Sequence, residues 1–203
     1  MNRPLPTRRP RPTARALAAL AVGGSLAVAT SGLALAPTLP LTARDLCRVA
    51  PAGLERARGP APRLPGLGAY RLAEASADAA AQAFFDQGIA LVWGFNFGEG
   101  VRAFREASRR DPRCALCAWG EALALGPSIN HDMTTGDARA AYAAIVRARS
   151  LAAGADERTR LLVQVLAARH APSPMAARAP LDRAYEAAAR AAADANPADA
   201  DLQ

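Results

Sequence analysis

The sequence predicts an all-α fold, a right-handed stack of helical hairpins ordered from about residue 76. Three observations predict it. Downstream of Ala81, apolar residues recur at steps of three and four, the period of a helix with one buried face. Proline-centred breaks at Asp111-Pro112 and Gly126-Pro127 cut this pattern into runs of helical length. No β-α-β pattern occurs along the chain.

Residues 1–36 read as a signal peptide or membrane anchor. A basic stretch ending at Arg15 precedes an apolar run that begins at Ala16, and Ala27-Val28-Ala29 supplies the small side chains a signal peptidase needs. Cleavage there leaves Thr30 at the N-terminus. Without cleavage, residues 16–36 are long enough to stay in a membrane. The expected location is therefore outside the cytoplasm, either periplasmic or anchored to the cytoplasmic membrane.

This segment also explains the charge. The formal net charge is +7, and all 25 basic residues are arginine. Five of those arginines lie in residues 1–36 with no acid among them, leaving 20 against 18 acidic residues. The rest of the chain is nearly neutral, which argues against a nucleic-acid partner.

Residues 37–75 read as a Pro/Gly-rich linker of low order. Pro40, Pro51, Pro60, Pro62 and Pro65, with Gly53, Gly59, Gly66 and Gly68, interrupt every regular period.

The helical domain follows, over residues 76–203. Ala81, Phe84, Phe85, Gly88, Leu91, Val92 and Phe95 share one face of a first helix. After the break at Asn96-Phe97-Gly98, a second helix turns Val101, Phe104 and Ala107 inward and leaves Arg102, Arg105, Glu106, Arg109 and Arg110 to solvent. Further helices are expected over residues 113–125, 137–153, 156–171 and 180–196, with loops over 126–136 and 170–179.

A helical hairpin closed by Asp-Pro matches the tetratricopeptide unit of about 34 residues. With Pro112 at that unit's closing proline, the first position falls on Ala81. Phe84, Gly88, Leu91, Gly100, Phe104 and Ala107 then occupy its signature positions. The later spacing is less regular: Pro197 lies 85 residues beyond Pro112, two and a half such periods.

The words Ala83-Phe84-Phe85-Asp86-Gln87-Gly88, Ala103-Phe104-Arg105-Glu106-Ala107, Asp111-Pro112 and Cys114-Ala115-Leu116-Cys117-Ala118-Trp119-Gly120 carry a resemblance to bacterial exported tetratricopeptide-repeat proteins. It covers residues 66–133, and residues 182–197 look like a later part of the same family. The resemblance implies a helical solenoid with a scaffold role and supplies no catalytic residues to carry over. Such proteins usually continue for several more repeats. The chain ends at Gln203, where a further helix would begin, so the reading is a truncated array or one whose C-terminal face is covered.

Four residues make an alternative centre. Cys114 and Cys117 form a C-x-x-C pair without the strand that introduces a thioredoxin motif, and Ala118 stands where c-type haem attachment requires histidine. The pair is open to two readings, a local disulfide or two packed thiols. Joined to His131 and Met133, it would make a soft-metal set suited to copper, or a thiol-redox module. The loop bearing His131 leaves the far end of the cysteine helix, which argues against convergence. No nucleophile elbow, zinc-protease or phosphate-loop motif is present, so neither an enzyme nor a cofactor is expected.

The remaining function is binding. The first helices of successive hairpins would line a concave face with Phe85, Ile89, Val92 and Trp93, then Leu116, Trp119 and Leu123. Either tryptophan could equally be core. If exposed, they suit an extended or helical segment of a protein partner.

Overall fold

The computed structural model describes residues 53–54 and 57–202. The signal or anchor expected over residues 1–36 lies outside the described residues.

The described residues form six α-helices and no strand: α1 (Ala79–Trp93), α2 (Phe97–Arg110), α3 (Ala115–Leu125), α4 (Thr135–Leu151), α5 (Glu157–Ala167) and α6 (Arg178–Ala195). Each packs on the next, while α3 also touches both α1 and α5.

Local chemistry sets the boundaries. Asp78, Asn96, Thr134 and Asp156 accept backbone N–H bonds at the starts of α1, α2, α4 and α5. Thr134 and Asp137 bond reciprocally as a capping box. Helix α6 starts at Arg178, two residues before Pro180. The proline thus occupies the first turn, where a missing N–H leaves no intrahelical bond unmade. Helix α5 ends at Ala167, earlier than the expected 171. Ala168, Arg169 and His170 instead donate to carbonyls three residues back, tightening the chain into a turn.

Helix α1 closes in a Schellman arrangement. Asn96 N–H donates to the Leu91 carbonyl and Phe95 N–H to that of Val92. The residue that must turn left-handed there is Phe95, at φ 60°, where glycine is the ordinary choice.

The core joins all three hairpins. Phe85 and Phe104 meet edge to face with centroids 5.8 Å apart, and both are fully buried. Val101, Leu125, Ile145, Val163 and Leu166 continue the core through α2 to α5.

The segment read as a low-order linker forms no regular helix or strand over residues 57–75, as its prolines and glycines require, and it is held against the helices. Buried Gln87 accepts from Leu64 N–H and donates to the Pro62 carbonyl. Buried Gln82 likewise accepts from Ala75 N–H and donates to the Ala73 carbonyl. Arg102 and Arg105 donate to the carbonyls of Pro60 and Ala57, and Leu72 reaches the core. The chain therefore straps α1 and α2 before it enters the first helix.

The solvated side expected for α2 needs correction at Glu106, which is buried beneath Arg109 and Arg110. Those guanidinium groups hold its carboxyl below the usual carboxylate range, against the cost of burial. Glu121 is also buried. Arg105 from α2 and Arg147 from α4 each donate to it at 2.7 Å, tying three helices together.

Candidate binding groove

A cavity of about 160 Å³ lies among α1, α3, α5 and α6. Trp93 stands at the end of α1, Trp119 and Leu123 come from α3, and Leu162, Val165 and Leu166 from α5. Tyr185, Ala189 and Ala192 from α6 complete the wall, with Leu72, Asp201 and Leu202 alongside. The lining is almost wholly apolar, and its titratable side chains are Tyr185 and Asp201. Such a site selects by shape and apolar burial.

Two contacts fix the frame. Trp119 Nε1 donates to the Leu162 carbonyl at 3.0 Å, which joins α3 to α5 and holds the indole plane. The Arg169 guanidinium lies 4.5 Å from the centre of the Tyr185 ring. At the rim, Arg158 pairs with Asp199 and Asp201 and donates to the Leu72 carbonyl. Tyr70 donates to Asp201 at 2.6 Å. Burial and that carboxylate push its hydroxyl up to about 12.

The seven expected groove residues divide. Trp93 is 57% exposed, and with Trp119 and Leu123 it lines the cavity. Phe85, Ile89, Val92 and Leu116 are buried in the core, a correction to the expected concave face. Phe85 meets Phe104, and a Cβ on Gly100 would stand 3.2 Å from Val92, so both face α2. Tyr185, Ala189 and the α5 residues are additions. A tyrosine amid alanines on the last helix gives little signal before its neighbours are known.

The alternative ligand set is not assembled. Cys114 and Cys117 form a buried disulfide, so neither offers a thiolate. Cys114 Sγ also accepts from Cys117 N–H and caps α3. His131 lies beyond the opposite end of that eleven-residue helix, about 16 Å away along its axis. Its Nε2 is 3.3 Å from Asp137 Oδ2, outside hydrogen-bond geometry. Among the described residues, no group of three or more His, Cys, Asp or Glu is placed to hold a metal.

A larger open cleft of about 980 Å³ lies between residues 72–74, the start of α5 and the C-terminal turn. Three of its carboxylates have structural partners: Asp156 caps α5, and Asp199 and Asp201 hold Arg158.

No protein-family model, curated protein or solved structure matches the chain.

Proposed function

We propose that this chain is an exported scaffold with a tetratricopeptide-like helical array, binding a protein or peptide partner through an apolar side chain seated beside Trp93. One observation carries the reading: an exposed tryptophan borders an apolar cavity whose lining includes a second tryptophan held by a hydrogen bond. A rigid apolar pocket with one accessible aromatic edge suits a peptide anchor residue. The signature residues from Ala81 to Pro112 support the array, and the basic and apolar N-terminus supports export.

The test is selection from a displayed random-peptide library, followed by affinity measurements on the purified full chain. Enriched peptides should share one large apolar residue. Trp93→Ala should weaken them at least ~30-fold, equivalent to about 2 kcal/mol. Arg109→Ala, on exposed α2 surface, should change affinity by less than ~5-fold. Peptides that bind Trp93→Ala normally but lose affinity for Arg109→Ala would end the proposal. Trp119 is unsuitable as the first probe, because its replacement also breaks the bond to Leu162.

A further inference from the structure

We propose that the end of the helix stack bearing the α1–α2, α3–α4 and α5–α6 connections is a membrane-contacting face, and that its occupant is the surface of a phospholipid bilayer. Three connections meet at this end. The Phe97 ring centroid is 6.4 Å from that of His131, and Arg169 donates to the Pro127 carbonyl at 3.2 Å. Each connection carries a large apolar side chain into solvent: Phe95 is 59% exposed, Ile129 93% and Met175 76%.

The opposite end differs. Its turns carry Asp111, Pro112 and Arg113, then Ala153 and Gly154, and among the described residues they expose no large hydrophobic side chain. Apolar groups exposed one by one over a surface need no explanation. Three gathered at one end, one of them on a residue forced into left-handed backbone, mark an interaction face.

Two further observations select a bilayer. First, Leu54, in the earliest described stretch of the chain, lies at this end. Leu54 Cδ2 lies 3.9 Å from where a Cβ on Gly98 would stand, in the first turn of α2. Upstream of Leu54 runs the apolar stretch 16–36, the one segment of the sequence suited to a membrane. Second, the connections are nearly uncharged. Residues 94–97, 126–134 and 168–177 contain Asp132 and Arg169 as their formal charges with histidine neutral, a net of zero, although 21% of the chain is charged. Seating these tips among headgroups therefore strips water from few ions, and apolar burial drives it. Phe95, Ile129 and Met175 do not line the cavity beside Trp119, although Trp93 of the proposed peptide site lies only two residues before Phe95.

The apolar N-terminal stretch alone could hold the full chain on vesicles, so the experiment reads local depth. The full chain carrying Ile129→Trp and Trp93→Phe is reconstituted in phosphatidylcholine vesicles with and without brominated acyl chains. A parallel protein carries Ala153→Trp and Trp93→Phe. Emission from Trp119 is common to both and is subtracted. The tryptophan at position 129 should be quenched on the order of two-fold, and the one at 153 unaffected. Adding Phe95→Ser and Met175→Ser should abolish the quenching at 129 with helicity unchanged by circular dichroism. Replacing a third of the lipid by phosphatidylglycerol should leave it unchanged, because little charge is involved. Equal quenching at 129 and 153, or none at 129, overturns the proposal. So does sedimentation showing a dimer that Phe95→Ser dissolves, which would assign the face to a second copy of the chain.

Discussion

The Phe104 ring lies so close to Gly120 that a Cβ there would stand 2.3 Å from Phe104 Cε1. Gly88 flanks the same ring, with its own Cβ position 2.7 Å away. Phe104 is thus a wedge from α2 set between two bare backbones, one on α1 and one on α3. Helix propensity alone would favour alanine over glycine by about 1 kcal/mol. Overpacking a rigid ring costs about 1–3 kcal/mol, so Gly120→Ala should destabilise the fold by a net 1 kcal/mol or so. Phe104→Leu has its own cost, but in that background Gly120→Ala should become neutral or stabilising. A double-mutant cycle by urea unfolding checks this, and strictly additive changes would refute the wedge.

Gly88 and Phe104 occupy signature positions of a repeat of about 34 residues, so that half of the wedge is legible in the sequence. Gly120 lies outside those positions and gives no such signal. The helices themselves are legible because breakers and apolar period agree. The groove is less so. Periodicity says which residues share a face, but not which neighbour covers it, and Phe85 and Val92 turn out to face α2. The described course of residues 57–75 is hidden for a related reason. Proline and glycine forbid a helix there, but they do not announce that Gln82 and Gln87, on another element, supply its hydrogen bonds. Glu106 reads as surface because its pairing arginines also look solvated until the helices are stacked.

The strap depends on those amides. Gln87→Leu keeps the volume but leaves Leu64 N–H and the Pro62 carbonyl without their partner, at about 1–3 kcal/mol for each group that water cannot reach. The loss should be local. Trypsin should cut after Arg63 or Arg71, both exposed, at least several-fold faster in the variant while the α3 to α5 core keeps its hydrogen-exchange protection. Unchanged cleavage would mean that Leu64 and Leu72, by apolar burial, hold the segment without Gln87.

The disulfide gives a direct chemical test. The chain has three cysteines, and Cys114 and Cys117 are joined. In denaturant without reductant, a thiol reagent should therefore label one thiol per chain, and three after reduction. Because the bond closes a very short loop, its stabilisation in the chain-entropy picture is only about 2 kcal/mol. Cys114→Ser with Cys117→Ala should cost less than that figure, because serine can accept from the 117 N–H and restore the cap on α3. Cys114→Ala with Cys117→Ala loses bond and cap together and should cost about 1 kcal/mol more.

His170 should make stability depend on pH. It is buried, and neither ring nitrogen has a hydrogen-bond partner. Burial, reinforced by the charges of Arg169 and Arg178, lowers its pKa from 6.5 to about 4. Because the folded value is the lower one, the unfolded chain binds the proton first. Stability must then fall as pH drops from 6.5 towards 4. Between pH 7 and pH 5 the loss is about 2 kcal/mol. Asp156 and Asp199 have lowered folded values and unfolded values near 3.8, so their losses begin below this window. Leucine in place of His170 strands no hydrogen-bond partner and removes the titration. His170→Leu should thus abolish most of the difference between pH 7 and pH 5 in urea unfolding while keeping the pH 7 midpoint. If wild type and His170→Leu lose equal stability over that interval, His170 does not carry the dependence.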